Sequence, residues 1–371
     1  MAHPTRTALT DVRVFDGRRL SEPRTVVIDG PVIGTDPAGA RTVDCGGAVL
    51  LPGLIDAHIH LGGRDTLEKL RRHGVTTGLD MATWPPQRLA ALRGLPGLTD
   101  IRSAGTPAIG PGGPHSRIPG LAEAATVVDP AEAAGFVARR IAEGSDFLKV
   151  VLEAPGEGGP ELPVVTALIR AARSHGLTVV AHAASPGAYA LALDAGADII
   201  THVPLGRPLP ASEVARTAAD GRVAVPTLAM MEGTAAARGR AEAFGAAVES
   251  VGALHRAGVP VLAGTDANSQ PGVPAAVEHG SSLHHELELL VRAGLSTVEA
   301  LRAATVLPAR HFRLSDRGAV EPGLRADLLL VDGDPLADIR ATRAVRAVWC
   351  GGVEHLPARQ TPPGSKETTA P

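Results

Sequence analysis

Two histidines stand at alternate positions in the segment Gly53-Leu54-Ile55-Asp56-Ala57-His58-Ile59-His60. In an extended strand, residues i and i+2 point to the same side, so both imidazoles can face one target from a rigid backbone. Paired ring nitrogens of this kind suit zinc or a related divalent ion. The pair alone also fits a chance arrangement near a strand end, so its meaning rests on what else gathers there. Three further residues close apolar runs: His182 ends Thr178-Val179-Val180-Ala181-His182, His202 ends Asp198-Ile199-Ile200-Thr201-His202, and Asp266 ends Val261-Leu262-Ala263-Gly264-Thr265-Asp266. Each by itself could be a hydrogen-bonded core or loop residue; together they make a ligand set.

Lys149 is unusual in type and in place. Only Lys69, Lys149 and Lys366 are lysines, and the other 33 of the 36 basic residues are arginines. It interrupts the apolar run Phe147-Leu148-Lys149-Val150-Val151, where burying an unpaired ammonium is costly. An ammonium has no lone pair for a metal. A lysine whose pKa is lowered by burial and nearby cations can instead react with carbon dioxide. The resulting carbamate is a carboxylate on a long arm, able to bridge two metal ions. The alternative is a buried lysine paired to an acid such as Asp146 or Glu153.

Positioning these groups requires strands. Eight candidates run through Leu54–Leu61, Val75–Met81, Asp100–Ala104, Phe147–Leu152, Thr178–Ala183, Asp198–Val203, Val223–Met230 and Val259–Asp266, separated by Ala/Leu/Arg-rich helical stretches. Near-continuous apolar strands alternating with helices indicate a parallel sheet covered on both faces, and eight of them close a (β/α)8 TIM barrel of the α/β class. In such a barrel the C-terminal strand ends form the active-site mouth, where His58, His60, His182, His202 and Asp266 would meet. Short β-like runs before and after this zone would pair into a small β-sandwich built from both ends of the chain. The expected division is residues 1–53 and 313–356 for the sandwich, 54–312 for the barrel, and a disordered tail over 357–371, rich in Pro, Thr, Gly and Ser.

The 371 residues are 44% hydrophobic, enough for a sizeable core, and contain no apolar stretch near the length that spans a bilayer. A formal charge of −3 gives no electrostatic reason to expect nucleic acid or an anionic membrane as partner. Met1-Ala2-His3-Pro4-Thr5-Arg6 leads into no signal-like apolar block, so a cytoplasmic protein is expected. Cys45 and Cys350 are too few for a disulfide scaffold or a thiolate zinc site and would share the sandwich.

From Leu51-Pro52-Gly53 through His60 to Gly323-Leu324-Arg325-Ala326-Asp327-Leu328, the chain resembles the amidohydrolase superfamily, particularly its imidazolonepropionase-like and prolidase-like branch. Ala195-Gly196-Ala197-Asp198-Ile199-Ile200-Thr201-His202 and Glu286-Leu287-Glu288-Leu289-Leu290 carry the same likeness. The resemblance implies two divalent ions, Zn²⁺ or Mn²⁺. His58 and His60 would hold the more buried ion with Asp266, His182 and His202 the more exposed one, and carbamylated Lys149 would bridge both. A metal-bridging hydroxide would attack a small-molecule substrate's carbonyl, with Asp266 shuttling the proton to the leaving nitrogen.

One departure bears on the reaction. Aromatic-base deaminases and imidazolone hydrolases of the superfamily usually carry a Glu shortly after the strand-five histidine and use one metal. Here His182 is followed by Ala183-Ala184-Ser185-Pro186, and Lys149 is present. Both differences favour a binuclear enzyme cleaving a C–N bond of a dipeptide, N-acyl amino acid or cyclic amide or imide. A lactone or ester hydrolase using the same centre and a catalytically silent barrel acting as a binding protein are the alternatives, and a homo-oligomer stays open.

For substrate contacts, His115 in the glycine-rich loop Gly110-Pro111-Gly112-Gly113-Pro114-His115 resembles a loop of the same branch. Thr227 and Met230 near the end of strand seven, and Asn268 and Ser269 beyond Asp266, sit at the mouth by position. Arg117 and Arg207 follow strands three and six, where either could meet a substrate carboxylate. His279, His284 and His285 read most simply as helix-surface histidines.

Overall fold

The computed structural model describes residues 6–270 and 272–357. The tail expected from residue 357 lies, after Pro357 itself, outside them. Seven barrel strands are regular: Leu54–Ile59, Val75–Asp80, Asp100–Ser103, Leu148–Val151, Val179–His182, Ile199–Thr201 and Val223–Ala224. All neighbours are parallel, three strands in one group and four in another. The first two are buried along their whole length, as their unbroken apolar runs require when helices cover the outside.

Irregular backbone joins the two groups into a closed ring. Asp146 N–H donates to Ser103 O and Ala108 N–H to Lys149 O, both at 2.8 Å. On the other side, the stretch 261–267 acts as the eighth stave: Leu262 N–H donates to Ala224 O and Ala57 N–H to Ala263 O at 2.9 Å, and His60 N–H to Ala267 O at 3.0 Å.

Two of the expected strands are shorter or less regular than their apolar patterns suggest. Val223–Met230 ends as a strand at Ala224, because Pro226 has no N–H to continue the ladder and Thr227 turns left-handed at φ +51°. Its remainder opens the helix Leu228–Ala237. Val259–Asp266 forms only isolated bridges, Ala224 to Val261 and Ile59 to Ala267. Pro260 lacks a donor, and Gly264 passes so close to the first strand that a Cβ there would lie 2.9 Å from His58 N. Asp266 then adopts φ +56°, which swings its carboxylate away from a strand's ordinary direction.

The two ends of the chain build the sandwich. Leu328–Val331 lies between Val49–Pro52 and Val345–Cys350, both antiparallel to it. Thr7–Val14 pairs with Arg24–Asp29 and Arg41–Asp44 through its first half, then through Arg13 and Val14 with Val49–Pro52. An irregularity between Leu9 and Val12 lets one strand serve both layers. Leu9, Val12, Leu50, Leu328, Leu330 and Trp349 fill the space between them. Cys45 belongs to this core, whereas Cys350 packs with the barrel-side cluster; both are buried free thiols. No helix among the described residues is long and apolar enough to cross a membrane.

Candidate metal centre

At the C-terminal strand ends, the first strand and the eighth stave bring three groups together. His58 Nε2 and His60 Nε2 lie 3.3 and 3.1 Å from the same Asp266 oxygen, and the three donor atoms fall within 4.8 Å of one another. Donors about 2.0–2.1 Å from a tetrahedral zinc stand roughly 3.3 Å apart, so the spacing fits a shared ion. His58 Nδ1 sits 2.9 Å from the Thr201 hydroxyl. With Nδ1–H donating to that oxygen, the Nε2 lone pair is free for a metal. Burial drives the His58 pKa well below its ordinary value, which keeps the imidazole neutral. At Asp266 burial pushes the carboxyl upward, but the surrounding histidines, with His60 able to donate to it, outweigh burial and hold the carboxylate well below its usual range.

This corner rests on backbone and buried acids. Asp56, fully buried, accepts from His58 N–H and from both the N–H and hydroxyl of Thr265, tying the first strand to the eighth stave. Asp80 accepts from Leu61 N–H and the Ser103 hydroxyl. His279 Nε2 donates to the His60 carbonyl at 2.8 Å.

The second corner is built differently. His182 Nδ1 and His202 Nε2 approach to 3.0 Å, and burial lowers both pKa values, His202 to about 4. The other ring nitrogen of His202 meets the Thr227 hydroxyl at 2.5 Å. Thr227 leads directly into the helix Leu228–Ala237, whose first N–H groups, of Leu228 and Ala229, donate to the two Glu286 oxygens at 3.0 and 2.7 Å. Glu286 is completely buried. Burial pushes its carboxyl up to about 8 against the opposing effect of those two donors.

Lys149 lies between the corners. Its Nζ is buried without a hydrogen-bond partner among the described residues, and burial pulls its pKa down to about 7. Neither acid named as its partner reaches it: Asp146 pairs with Arg93 and Arg102, and Glu153 lies 3.7 Å from His115. Its charge depresses the pKa of His58, His182 and His202 alike. An orphaned amine facing three neutral imidazoles and a carboxylate is what a binuclear centre bridged through this side chain would leave when its ions and carbon dioxide are taken away.

A cavity of about 480 Å³ opens above these groups, with apolar walls from Trp84, Ile118, Leu121, Val151 and Met230. His115 lines it, its ring centroid 5.0 Å from that of His182 and its Nδ1 unpartnered. Asn268 and Arg117 also line it. Thr227 does not: it is fully buried with its hydroxyl on His202, because the strand expected to present it ends before it. Arg207 and Ser269 are not among the lining residues.

The three helix-surface histidines divide. His279 and His284 are buried, His284 against the Thr342 hydroxyl, and only half-exposed His285 behaves as a surface residue, 2.6 Å from Glu232. Sequence reasoning missed the supporting role of Glu286. Its position one turn from Leu283 and Leu290 on the helix Ser281–Arg292 was the available signal of burial.

The profile described as Amidohydrolase family matches residues 49–354, most of the chain. The chain belongs to the amidohydrolase family. It is therefore a hydrolase acting on carbon–nitrogen bonds. An uncharacterised protein of Mycobacterium tuberculosis is 32% identical over 83% of this chain and 85% of its own length. An adenine deaminase of Desulfatibacillum aliphaticivorans is 28% identical over 97% of this chain, which spans 60% of that relative. Among solved structures, a Xaa-Pro dipeptidase with bound methionine superposes with a TM-score of 0.82 at 22% identity, covering 95% of this amidohydrolase and 100% of that chain. Molinate hydrolase gives 0.75 at 21% identity, covering 96% and 95%. At these identities the structural likeness speaks for the fold, which is the barrel and sandwich of the family.

Proposed function

We propose that this amidohydrolase cleaves an amide-type C–N bond in a dipeptide, N-acyl amino acid or cyclic amide or imide, using two divalent ions, Zn²⁺ or Mn²⁺. The observation that carries the reading is the orphaned Lys149 amine set between a His58–His60–Asp266 corner and a His182–His202 corner. His58, His60 and Asp266 would hold the more buried ion, His182 and His202 the more exposed one, and Lys149, carbamylated, would bridge them. When bound, such ions lower the pKa of a water and polarise a carbonyl.

The chain's own groups supply the rest. Asp266 is anionic and at the floor of the cavity, suited to accept the proton of the attacking water and to deliver it to the leaving nitrogen. His115 lines the cavity wall with its Nδ1 turned toward Glu153, and its ring would donate to the substrate carbonyl or its flank. Asn268 offers a further amide at the mouth. The apolar walls exclude water and favour substrates with an aliphatic or aromatic side group.

The adenine deaminase relatives favour ring deamination as the second reading. Against it stands the run Ala183-Ala184-Ser185 after His182, which puts no acid beside that histidine. The test is a hydrolysis screen of the metal-reconstituted protein against dipeptides, N-acyl amino acids, imides, lactones and adenine. Turnover of an amide above the matched ester, with about two ions per chain by elemental analysis, is the expected result. Release of ammonia from adenine with no amide cleavage would replace the reading by the second one.

A further inference from the structure

The opposite end of the barrel carries a cavity that the hydrolytic site does not use. It measures about 410 Å³ and lies where Thr178, Asp198 and Val223 begin their strands, away from the C-terminal ends that hold His182 and His202. Its size falls in the range of small-molecule sites, about 300–1,000 Å³. We infer that it is a binding site for a small phosphate-bearing ligand, formed by Arg173, Arg222, Arg310 and Arg313.

Charge is the first argument. Four guanidinium groups line this concavity, and Asp198 is the one carboxylate among the lining residues. Asp198 is moreover already committed: one oxygen takes Arg173 Nη2 at 2.6 Å, and the other accepts the Val179 N–H at 2.9 Å. Arg222 reaches it only at 4.0 Å. His311, also in the wall, adds no further positive charge, because burial and neighbouring Arg310 lower its pKa. The excess is local, since the whole chain carries a net charge of −3.

Fixation is the second argument. Mobile surface arginines fan apart and are screened by salt, but two of these are anchored by backbone. Arg173 Nη2 also donates to Gly196 O at 2.6 Å, and Arg313 Nη1 donates to Gly176 O at 2.7 Å. Arg222 has a buried Nε with no partner among the described residues. Held guanidiniums with free donors present the planar fork that binds phosphate oxygens two at a time. A multiply charged oxyanion would relieve their mutual repulsion.

The test is calorimetric titration of the full-length, metal-loaded protein with inorganic pyrophosphate, in wild type and in the Arg222→Met/Arg310→Met double variant. One binding event per chain with a sub-millimolar Kd, weakened at least tenfold in the variant and by added salt, is expected. Pyrophosphate also chelates divalent ions, so the titration is repeated after dialysis against EDTA, where the arginine-dependent event persists. Hydrolytic turnover of the unliganded variant stays at the wild-type level. Absence of binding, equal binding in the variant, or binding that vanishes with the metal overturns the inference. Should the double variant fail to fold, Arg310→Met alone gives the same comparison, since Arg310 is exposed at the rim and makes no ion pair among the described residues.

Discussion

His58, His60 and Asp266 are held by backbone and by Asp56 beneath them, whereas in the other corner His182 closes a strand paired on both sides and the His202 ring depends on a relay of side chains that ends in another helix. In that relay Glu286 caps the helix Leu228–Ala237, the capped helix sets Thr227, and Thr227 meets His202 Nδ1. Backbone ladders repeat the same hydrogen bonds at every residue and tolerate single changes. A relay has one bond at each step and fails at its weakest. The first corner should therefore keep its geometry through substitutions that loosen the second.

The largest expected effect is on chemistry at the first corner. Asp266→Asn keeps the shape but removes the group proposed to move the proton, and kcat should fall about a thousandfold. Steady-state kinetics with the best substrate of the screen checks this. A loss below tenfold would transfer the proton to another group and undo the chemical distinction between the corners.

Lys149 tests whether the corners are one centre. Lys149→Ala should leave about one ion per chain by elemental analysis and lower kcat by about a hundredfold or more. The modification itself has a pH signature. Burial depresses the folded-state pKa to about 7, so the neutral amine that reacts with carbon dioxide prevails above that value and is lost below it. Intact-protein spectroscopy with ¹³C-bicarbonate should find a carbamate signal at about pH 8 that disappears by about pH 5.5. A signal that grows on acidification would contradict the assignment.

How much of this was legible beforehand follows the same division. His58, His60, His182, His202 and Asp266 were readable because each closes an apolar run, and a barrel gathers strand ends at one mouth. Lys149 was readable as a charge in an apolar strand. The eighth stave was misjudged in its regularity because Pro260 and Gly264 act through hydrogen-bond loss and close approach, which hydrophobic periodicity does not register. Thr227 was placed in the cavity wall for a related reason: Pro226 ends the strand early, and the left-handed turn buries the hydroxyl under His202. The Glu286 contact joins residues 58 and 57 positions apart, and no local pattern announces a cap donated from a distant helix. His279 and His284 looked like surface residues because adjacent polar side chains conceal which face of a helix turns inward.

The relay supplies the next effect. Glu286→Ala removes both acceptors from the N–H groups of Leu228 and Ala229 and leaves them buried, so the first turn of that helix must shift. Supporting partners of metal ligands typically change affinity by about 10–100-fold, and we expect the upper end for the weaker-bound ion only. Competition with a chromophoric chelator would resolve two ions released in order. Equal weakening of both would mean that the relay supports the whole mouth, and the contrast between the corners would go.

Thr227→Val should have the smallest effect. The substitution keeps the branched shape and deletes the nearer of two hydroxyls at His202 Nδ1, leaving Thr201 Oγ1 at 3.4 Å. With only the longer Thr201 contact left, the ring exchanges tautomers more freely, and the nitrogen facing His182 carries a proton part of the time. The expected loss is about tenfold in affinity for the weaker ion, with KM changed little because Thr227 does not line the cavity. Thr227→Ser, which restores the hydroxyl, should recover most of the affinity. A KM rise without a change in metal affinity would instead put Thr227 against the substrate, and would remove the last link by which Glu286 reaches the centre.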